Sequence, residues 1–495
     1  MSLHAQLSPE AREALDRQRR NTRAASVIIA ILGTTLLAVV LGFFGLKAMI
    51  PHDPGFEAIV RKPITDDPPI DKPTMSLQSK PAAPAAAAPP MIVASVASPL
   101  SIPTPDHPQA PGPAILGDDG DFGLGLGDES GTGPGQFAPI PSNFRKRCSQ
   151  EDRLALLAES GASAETDEQV VRALRFLKNT QADDGGWGTR HRSAMTGLAL
   201  LAYLGHCETP LSEEFGESCL QAILFLTEIG MEKKGRLVED ASDRHWPYEH
   251  AIATYALAEA LSMCRAVNAT PPGLSDTVQQ AGQLIIDSQH PSGGWDYAYD
   301  ESGSRGGDLS ITGWHVQALK ACKLTGLDFR NLPRCVRDAL NYVGERQASD
   351  GGFGYTGTAP AGDLDYKSLT GVGMLSFQMW GKGSNAAVRK GARYALAEMP
   401  LEWNGPDCDL YAHYYLAQAM FQRGGTEWER YQPGFHRALS ENQSDDGSWP
   451  VPGSGAQVSI PGALFLQDHA DGRHYRTVLA TLMLEVYYRY LPATR

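Results

Sequence analysis

The sequence lacks an excess of basic residues, because 43 lysines and arginines stand against 57 aspartates and glutamates, for a net charge of −14. A general nucleic-acid-binding protein needs a basic face toward the phosphates, so we expect no nucleic-acid partner. A phosphate-binding loop is also missing, since the glycine-rich run Gly117–Gly135 neither follows a predicted strand nor opens a predicted helix.

Long uncharged stretches that are free of proline are absent except near the N-terminus. Residues Ala24–Leu46 carry no charge, and as a helix they would span roughly 35 Å, enough to cross the hydrocarbon layer of a membrane. The run is too long for a secretory signal, and no cleavage site follows it. Arginines precede it between Arg12 and Arg23, whereas only Lys47 lies close behind it. We therefore predict a single anchor in the inner (plasma) membrane, with a cytoplasmic N-terminus and an extracytoplasmic remainder.

Composition then divides the chain into four predicted segments. A cytoplasmic tail (1–23) and the transmembrane anchor (24–46) come first. Residues 47–147 are rich in proline, alanine and glycine, as in PAAPAAAAPP at Pro81–Pro90, and should form a disordered linker. Residues 148–495 form the folded domain.

An oxidising location makes the seven cysteines candidates for disulfides. Two pairs, Cys207 with Cys219 and Cys322 with Cys335, occupy matching places between predicted helices. Two helix-to-helix disulfides fit this pattern, and so do small, buried, apolar side chains. No partner is apparent for the other three, which are Cys148, Cys264 and Cys408.

The folded domain contains an internal repeat: a helix end, a glutamine, a tight Asp/Ser/Gly turn and an aromatic residue. Its glutamines, separated by 108, 58 and 96 residues, are Gln181, Gln289, Gln347 and Gln443. These gaps indicate two, one and two units of a six-unit array. A second series, in predicted helices after the turns, has a spacing of 58: Thr196, Thr254, Thr312 and Thr370. Hairpins of this kind must stack to bury their apolar faces, and six can close into a ring.

These motifs resemble the Gln–Trp repeat of squalene–hopene cyclases and oxidosqualene cyclases, also seen in protein prenyltransferase β subunits. The resemblance covers about Asp167–Leu491. It implies an all-α fold, an (α/α)6 toroid of six helical hairpins, in which the glutamines and aromatics tie helix ends together at the rim. The aromatics concerned, which are then structural, are Trp187, Trp295, Phe353 and Trp449.

For a cyclase, the resemblance implies a catalytic acid in the pattern Asp-x-Asp-Asp-Thr-Ala at the start of an inner helix. The best match, DLSITG, begins at Asp308, a candidate catalytic residue, but Ser310 stands where the proton donor should be. The equivalent positions in other units are Ala194, Ile252 and Ser368. A serine cannot protonate an alkene, so Asp-initiated cyclisation is not expected.

For a prenyltransferase, the resemblance implies a zinc ion held by Asp, Cys and His. Asp363 and Asp365 match part of that pattern, with Asp365 in place of the cysteine, and His413 is displaced by one residue. A shift of one residue turns a helical side chain by about 100°. We predict no cofactor, and zinc at Asp363, Asp365 and His413 is the alternative. The two aspartates are also candidate catalytic residues.

Acidic residues that precede the inner helices should gather around one mouth of the ring. They are Glu249, Asp308, Asp363, Asp365, Asp407, Asp409 and Asp471. Paired carboxylates in a cleft serve glycan-cleaving enzymes, although helix starts favour acidic residues in any case. Trp314, Tyr411 and Tyr414 on inner helices are candidates for binding an apolar substrate.

Three functions therefore remain open. The missing acid favours an extracytoplasmic binding or assembly scaffold with a protein partner. An enzyme that acts on an isoprenoid or other apolar small molecule is the alternative, and a glycan-cleaving enzyme is the second. An open, apolar cavity would favour a protein that acts on an isoprenoid or other apolar molecule, whereas a ring filled by its own side chains would favour the scaffold.

Overall fold

The computed structural model describes residues 147–300, 306–356, 368–405, 408–453 and 464–489. The predicted anchor, Ala24–Leu46, lies outside these residues. Within them, no helix combines the length and apolar character needed to cross a membrane. The described helices are α1 Gln150–Glu159, α2 Glu165–Thr180, α3 Arg192–Gly205, α4 Gly216–Glu232, α5 Trp246–Ala266, α6 Leu274–Asp287, α7 Leu309–Leu324, α8 Leu332–Gly344, α9 Thr370–Met379, α10 Ala386–Glu398, α11 Leu410–Arg423, α12 Gly425–Ser440, α13 Ala470–Leu484 and α14 Val486–Arg489.

These helices form two concentric layers. Helices α3, α5, α7, α9, α11 and α13 contact one another in succession, and α13 contacts α3, so the inner layer closes into a ring. Helices α2, α4, α6, α8, α10 and α12 alternate with them outside. The sequence patterns differ accordingly: in α3 every residue from Ser193 to Gly205 is buried, whereas α8 buries only one face. The predicted all-α toroid of six hairpins is confirmed.

The repeated glutamines join neighbouring outer helices. Each side-chain amide donates to a carbonyl of its own turn and to a carbonyl near the start of another outer helix. For Gln181 these acceptors are Gly185 O (2.8 Å) and Ser218 O (3.0 Å). Gln443 reaches Gln169 O at 2.8 Å and so links the last hairpin to the first. The motif therefore satisfies helix-end groups, as predicted, and it also closes the ring.

The turns that follow these glutamines require glycine. Gly185, Gly293, Gly351 and Gly447 have φ between 88° and 113°, in the region that favours glycine. A Cβ atom at each would lie 2.2–2.6 Å from a carbonyl oxygen of the next outer helix. The aromatic that follows packs inward: the indole N–H of Trp187 donates to Leu177 O at 2.9 Å.

Buried charges close the end of the ring that the C-terminal parts of the inner helices form. We call this the closed end. Arg147 donates to Glu259 Oε1 at 3.1 Å, and Arg489 donates to Glu259 Oε2 at 2.7 Å. Glu485 lies 3.4 Å from Arg489 and packs beside Gly205, where a Cβ would collide with its carboxylate. Burial raises the pKa of Glu485 to about 8.

A disulfide between Cys148 and Cys207 holds the start of the described chain at this closed end. The predicted pairs Cys207–Cys219 and Cys322–Cys335 are wrong, because Cys219, Cys322 and Cys335 are buried free thiols. Helix packing turns these three inward, and burial raises the pKa of Cys322 to about 12. These three cysteines therefore agree with the alternative prediction, in which they pack as small, buried, apolar side chains.

Candidate functional site

The opposite end, where the inner helices begin, contains a cavity of about 410 Å³. We call it the open end. Its described lining residues lie mostly in the first two turns of inner helices or just before them. Apolar and aromatic side chains predominate: Ala194, Met195, Leu198, Ile252, Trp314, Leu464, Phe465, Tyr248, Tyr355, Tyr411 and Tyr475. The polar members are His191, His245, Glu249, Ser310, Ser368 and Asp409.

The repeat register locates this cavity. The four positions equivalent to the family's proton donor, spaced by 58 residues, all line it: Ala194, Ile252, Ser310 and Ser368. The residues that the repeat register makes equivalent therefore share one cavity. None of these four side chains is itself an acid.

Asp308 lies beneath the cavity wall and is not among its lining residues. It caps α7: its Oδ1 accepts from Ser310 N at 2.8 Å and from Ser310 Oγ at 2.5 Å. Ser310 Oγ lies 2.5 Å from Tyr248 Oη, and both residues line the cavity. The candidate catalytic aspartate is thus connected to the cavity through Ser310 and Tyr248.

Asp409 is an acidic residue that lies on the cavity and is buried, with 8% of its surface exposed. It caps α11, accepting from Ala412 N at 3.0 Å, and Ser368 Oγ donates to its Oδ2 at 2.5 Å. Burial raises the pKa of Asp409, and the hydrogen bond from Ser368 opposes this rise. A carboxyl group therefore stands beside a serine at the donor position, but it comes from the following hairpin.

Glu249 is the second carboxylate on the cavity. Its Oε1 lies 3.0 Å from His191 Nδ1, and this contact raises the pKa of the histidine. Asp471, by contrast, is used structurally, because it accepts from Thr189 N at 2.9 Å. The predicted gathering of carboxylates around one mouth thus brings Glu249 and Asp409 onto one cavity. The predicted members Asp363, Asp365 and Asp407 lie outside the described residues.

The three predicted substrate-binding aromatics take different places. Trp314 and Tyr411 line the cavity. Tyr414 does not; it stacks behind Trp314, with ring centroids 5.4 Å apart and an interplanar angle of 21°. Tyr414 therefore supports the wall and Trp314 presents its ring to the cavity.

His413 lies between the inner and outer layers. Its Nδ1 is 2.9 Å from Tyr431 Oη on α12, and burial lowers its pKa to about 3, so the imidazole is neutral. In the part of the chain that the structure describes, no three His, Cys, Asp or Glu side chains are grouped to hold a metal ion. The zinc alternative stays a prediction, because Asp363 and Asp365 lie outside that part.

Tyr248 and His191 line the cavity, although neither is among the predicted site residues. Tyr248 belongs to the segment HWPYEH, which by sequence is either a polar-aromatic cluster at the mouth of the ring or a packed turn. In the structure it lies in the first turn of inner helix α5. His191, just before α3, has φ 52°. A signal existed for Tyr248, since it precedes Thr254 by six residues in the same register that identifies the cavity.

No family model and no curated protein sequence matches this chain. Among solved structures, it is similar to the type II terpene cyclase MstE from Scytonema. A variant of that enzyme with merosterolic acid A is 14% identical over 68% of this chain and 98% of that one, with a TM-score of 0.39. A second variant with geranylgeranyl dihydroxybenzoate is 15% identical over 68% and 99%, with a TM-score of 0.40. Because these identities and TM-scores are low, the assignment of the ring fold depends on the contacts between the helices of this chain.

Proposed function

We propose that the toroid binds an elongated apolar molecule, of isoprenoid-like character, in the cavity at its open end. One observation carries this proposal: an aromatic and aliphatic lining surrounds an open volume instead of a ring filled by its own side chains. Cavities of 300–1,000 Å³ with mostly apolar walls and a few polar groups are typical of small-molecule sites. The cavity favours ligand binding over the scaffold function expected from the missing acid.

The test is mass spectrometry of small molecules extracted from the full-length protein, purified gently from its native membrane. The wild type should retain an apolar molecule in stoichiometric amount. Ala194→Trp fills the cavity and should lose it, whereas Ala158→Trp, on the exposed face of α1, should retain it. An empty extract from the wild type, or equal retention by both variants, would contradict the proposal.

A second candidate function is acid chemistry on the bound molecule, and Asp409 favours it. This carboxyl group is buried, lines an aromatic cavity and has a raised pKa, a combination found at functional sites. Asp409→Asn should then abolish turnover of the bound molecule while binding persists. Glu249 and Asp409 also offer the carboxylate pair of a glycan-cleaving enzyme, but a mostly apolar lining suits a lipid better.

Membrane attachment through Ala24–Leu46 is part of the same proposal, since it would keep the domain near lipid ligands. The uncharged run and the arginines before it support this placement. Deleting residues 1–47 should release the domain from membranes, and protease added from the extracytoplasmic side should cleave the full chain. A deletion variant that stays with membranes would contradict the anchor.

A further inference from the structure

On one wall of the cavity, Asp308 determines the direction in which two hydroxyl groups donate their protons. The Asp308 carboxylate accepts the proton of Ser310 Oγ at 2.5 Å. A serine hydroxyl has one proton to donate, so Ser310 must be the acceptor in its 2.5 Å contact with Tyr248 Oη. The single phenol proton of Tyr248 is therefore committed to Ser310. Toward the cavity, Tyr248 presents a lone pair, which accepts hydrogen bonds.

The other polar groups on the cavity are mostly acceptors as well. Glu249 and Asp409 contribute carboxyl oxygens. Among the described lining residues there is no lysine or arginine. The two histidines are engaged with acids, His191 with Glu249 at 3.0 Å and His245 with Asp243 at 2.7 Å. An anionic ligand head would meet the carboxyl groups of Glu249 and Asp409 here, and the positive charge that Glu249 favours on His191 is already paired with that carboxylate.

The aromatic lining adds to this bias. The ring of Trp314 lies on the cavity beside the tyrosine rings, and the faces of such rings attract cations. Burial keeps the phenol of Tyr248 neutral, since it raises its pKa well above the usual value. The polar groups, the aromatic faces and the lack of lysine and arginine among the described lining residues therefore select the same kind of ligand head.

We propose that the ligand of this cavity carries a head that donates hydrogen bonds, specifically a protonated amine, on its apolar tail. This inference rests on the proposed function, because it specifies the head of the molecule whose tail fills the cavity. Asp308 acts as a positioning residue in this site, since it fixes the acceptor character of Tyr248 through Ser310. An alcohol should bind less tightly than the amine, and a phosphate least.

The experiment measures equilibrium binding of four probes to the full-length protein by quenching of tryptophan fluorescence. The probes share one fifteen-carbon prenyl tail and carry an amine, a hydroxyl, a phosphate or no polar head. The amine should bind at least about tenfold more tightly than the phosphate, the difference expected for one charge-assisted hydrogen bond. Equal binding of all four, or tighter binding of the phosphate, would overturn the inference and leave the proposed function standing. Failure of every probe, the headless one included, would contradict the proposed function itself.

Two variants separate the positioning role from simple packing. Tyr248→Phe removes the acceptor and should reduce amine affinity several-fold while leaving the headless probe unchanged. Ser310→Ala frees the Tyr248 proton to turn toward the cavity, so the phosphate should bind more tightly and the amine less. Tyr203→Phe is the matched control, because this buried tyrosine on α3 contacts Ser218 and Leu174 away from the cavity. An unchanged amine-to-phosphate ratio in both Tyr248→Phe and Ser310→Ala would overturn the assignment.

Discussion

The same inner helices form both ends of the ring, but the two ends differ in the surroundings of their acidic side chains. At the closed end, Arg147 and Arg489 neutralise Glu259 inside the protein. At the open end, Glu249 and Asp409 lie on a cavity whose described lining has no arginine or lysine. Charges at the closed end are matched to one another within the chain. At the open end, the polar groups are left facing a volume that another molecule can occupy.

This difference separates residues that hold the ring from residues that face a ligand. Buried ion pairs contribute little net stability over an apolar core, but removing one partner is costly because the other charge remains buried. A carboxyl group whose burial already disfavours its charge tolerates neutralisation. The two ends should therefore respond differently to the removal of a buried charge.

The largest expected effect is at the closed end. Glu259→Gln leaves the buried guanidinium groups of Arg147 and Arg489 without their shared carboxylate and should reduce the free energy of unfolding by about 3–5 kcal/mol. At the open end, Asp409→Asn retains an acceptor for the Ala412 amide and should cost less than about 1 kcal/mol. Urea unfolding of both variants measures the comparison. Equal losses would show that the two ends do not differ in this way.

The next effect concerns the Cys148–Cys207 disulfide. It closes a loop with a sequence separation of 59, so replacing both cysteines by serine should cost about 2–4 kcal/mol. A dithiol reductant should destabilise the wild type by a similar amount and leave the double variant unchanged. Peptide mapping without reduction should recover this pair alone among the cysteines Cys148–Cys408. Recovery of Cys207 linked to Cys219 would contradict the structure.

The third effect, which is small for each unit of pH, is the pH dependence of the Glu485 contribution to stability. Its pKa is raised from 4.5 to about 8, so between these values the folded state binds more protons than the unfolded state. Its contribution to the free energy of unfolding therefore falls as pH rises through this window, by about 1 kcal/mol per pH unit.

The control for this prediction is Glu485→Gln, which removes the titrating group and keeps its shape. Buried histidines act in the opposite sense at lower pH: the pKa of His250 and of His315 is lowered to about 3, so stability rises with pH up to about 6.5. These groups are present in both proteins and largely cancel in their difference. Parallel stability curves for wild type and variant between pH 5 and 8 would contradict a raised pKa for Glu485.

Much of the fold could be predicted because it is encoded locally and repeatedly. Gln181 and its three counterparts indicated the unit length, and the threonines at intervals of 58 gave the register of four inner helices. That register also located Ser310 and Ser368 on the cavity. The interpretation of Cys219 failed, because a cysteine at a helix start gives no information about which way packing turns it.

The sequence by itself determined the number of hairpins and the helix ends at which a cavity opens. Periodicity carries this information, since each unit repeats the same local pattern of turn, aromatic and apolar helix. Only the tertiary structure decided which side chains meet: Asp409 with Ser368, Arg489 with Glu259, Cys148 with Cys207. These partners lie in different hairpins or beyond the repeat. Ring closure and the rotation of about 100° per helical residue bring them together, and neither can be read from spacing alone.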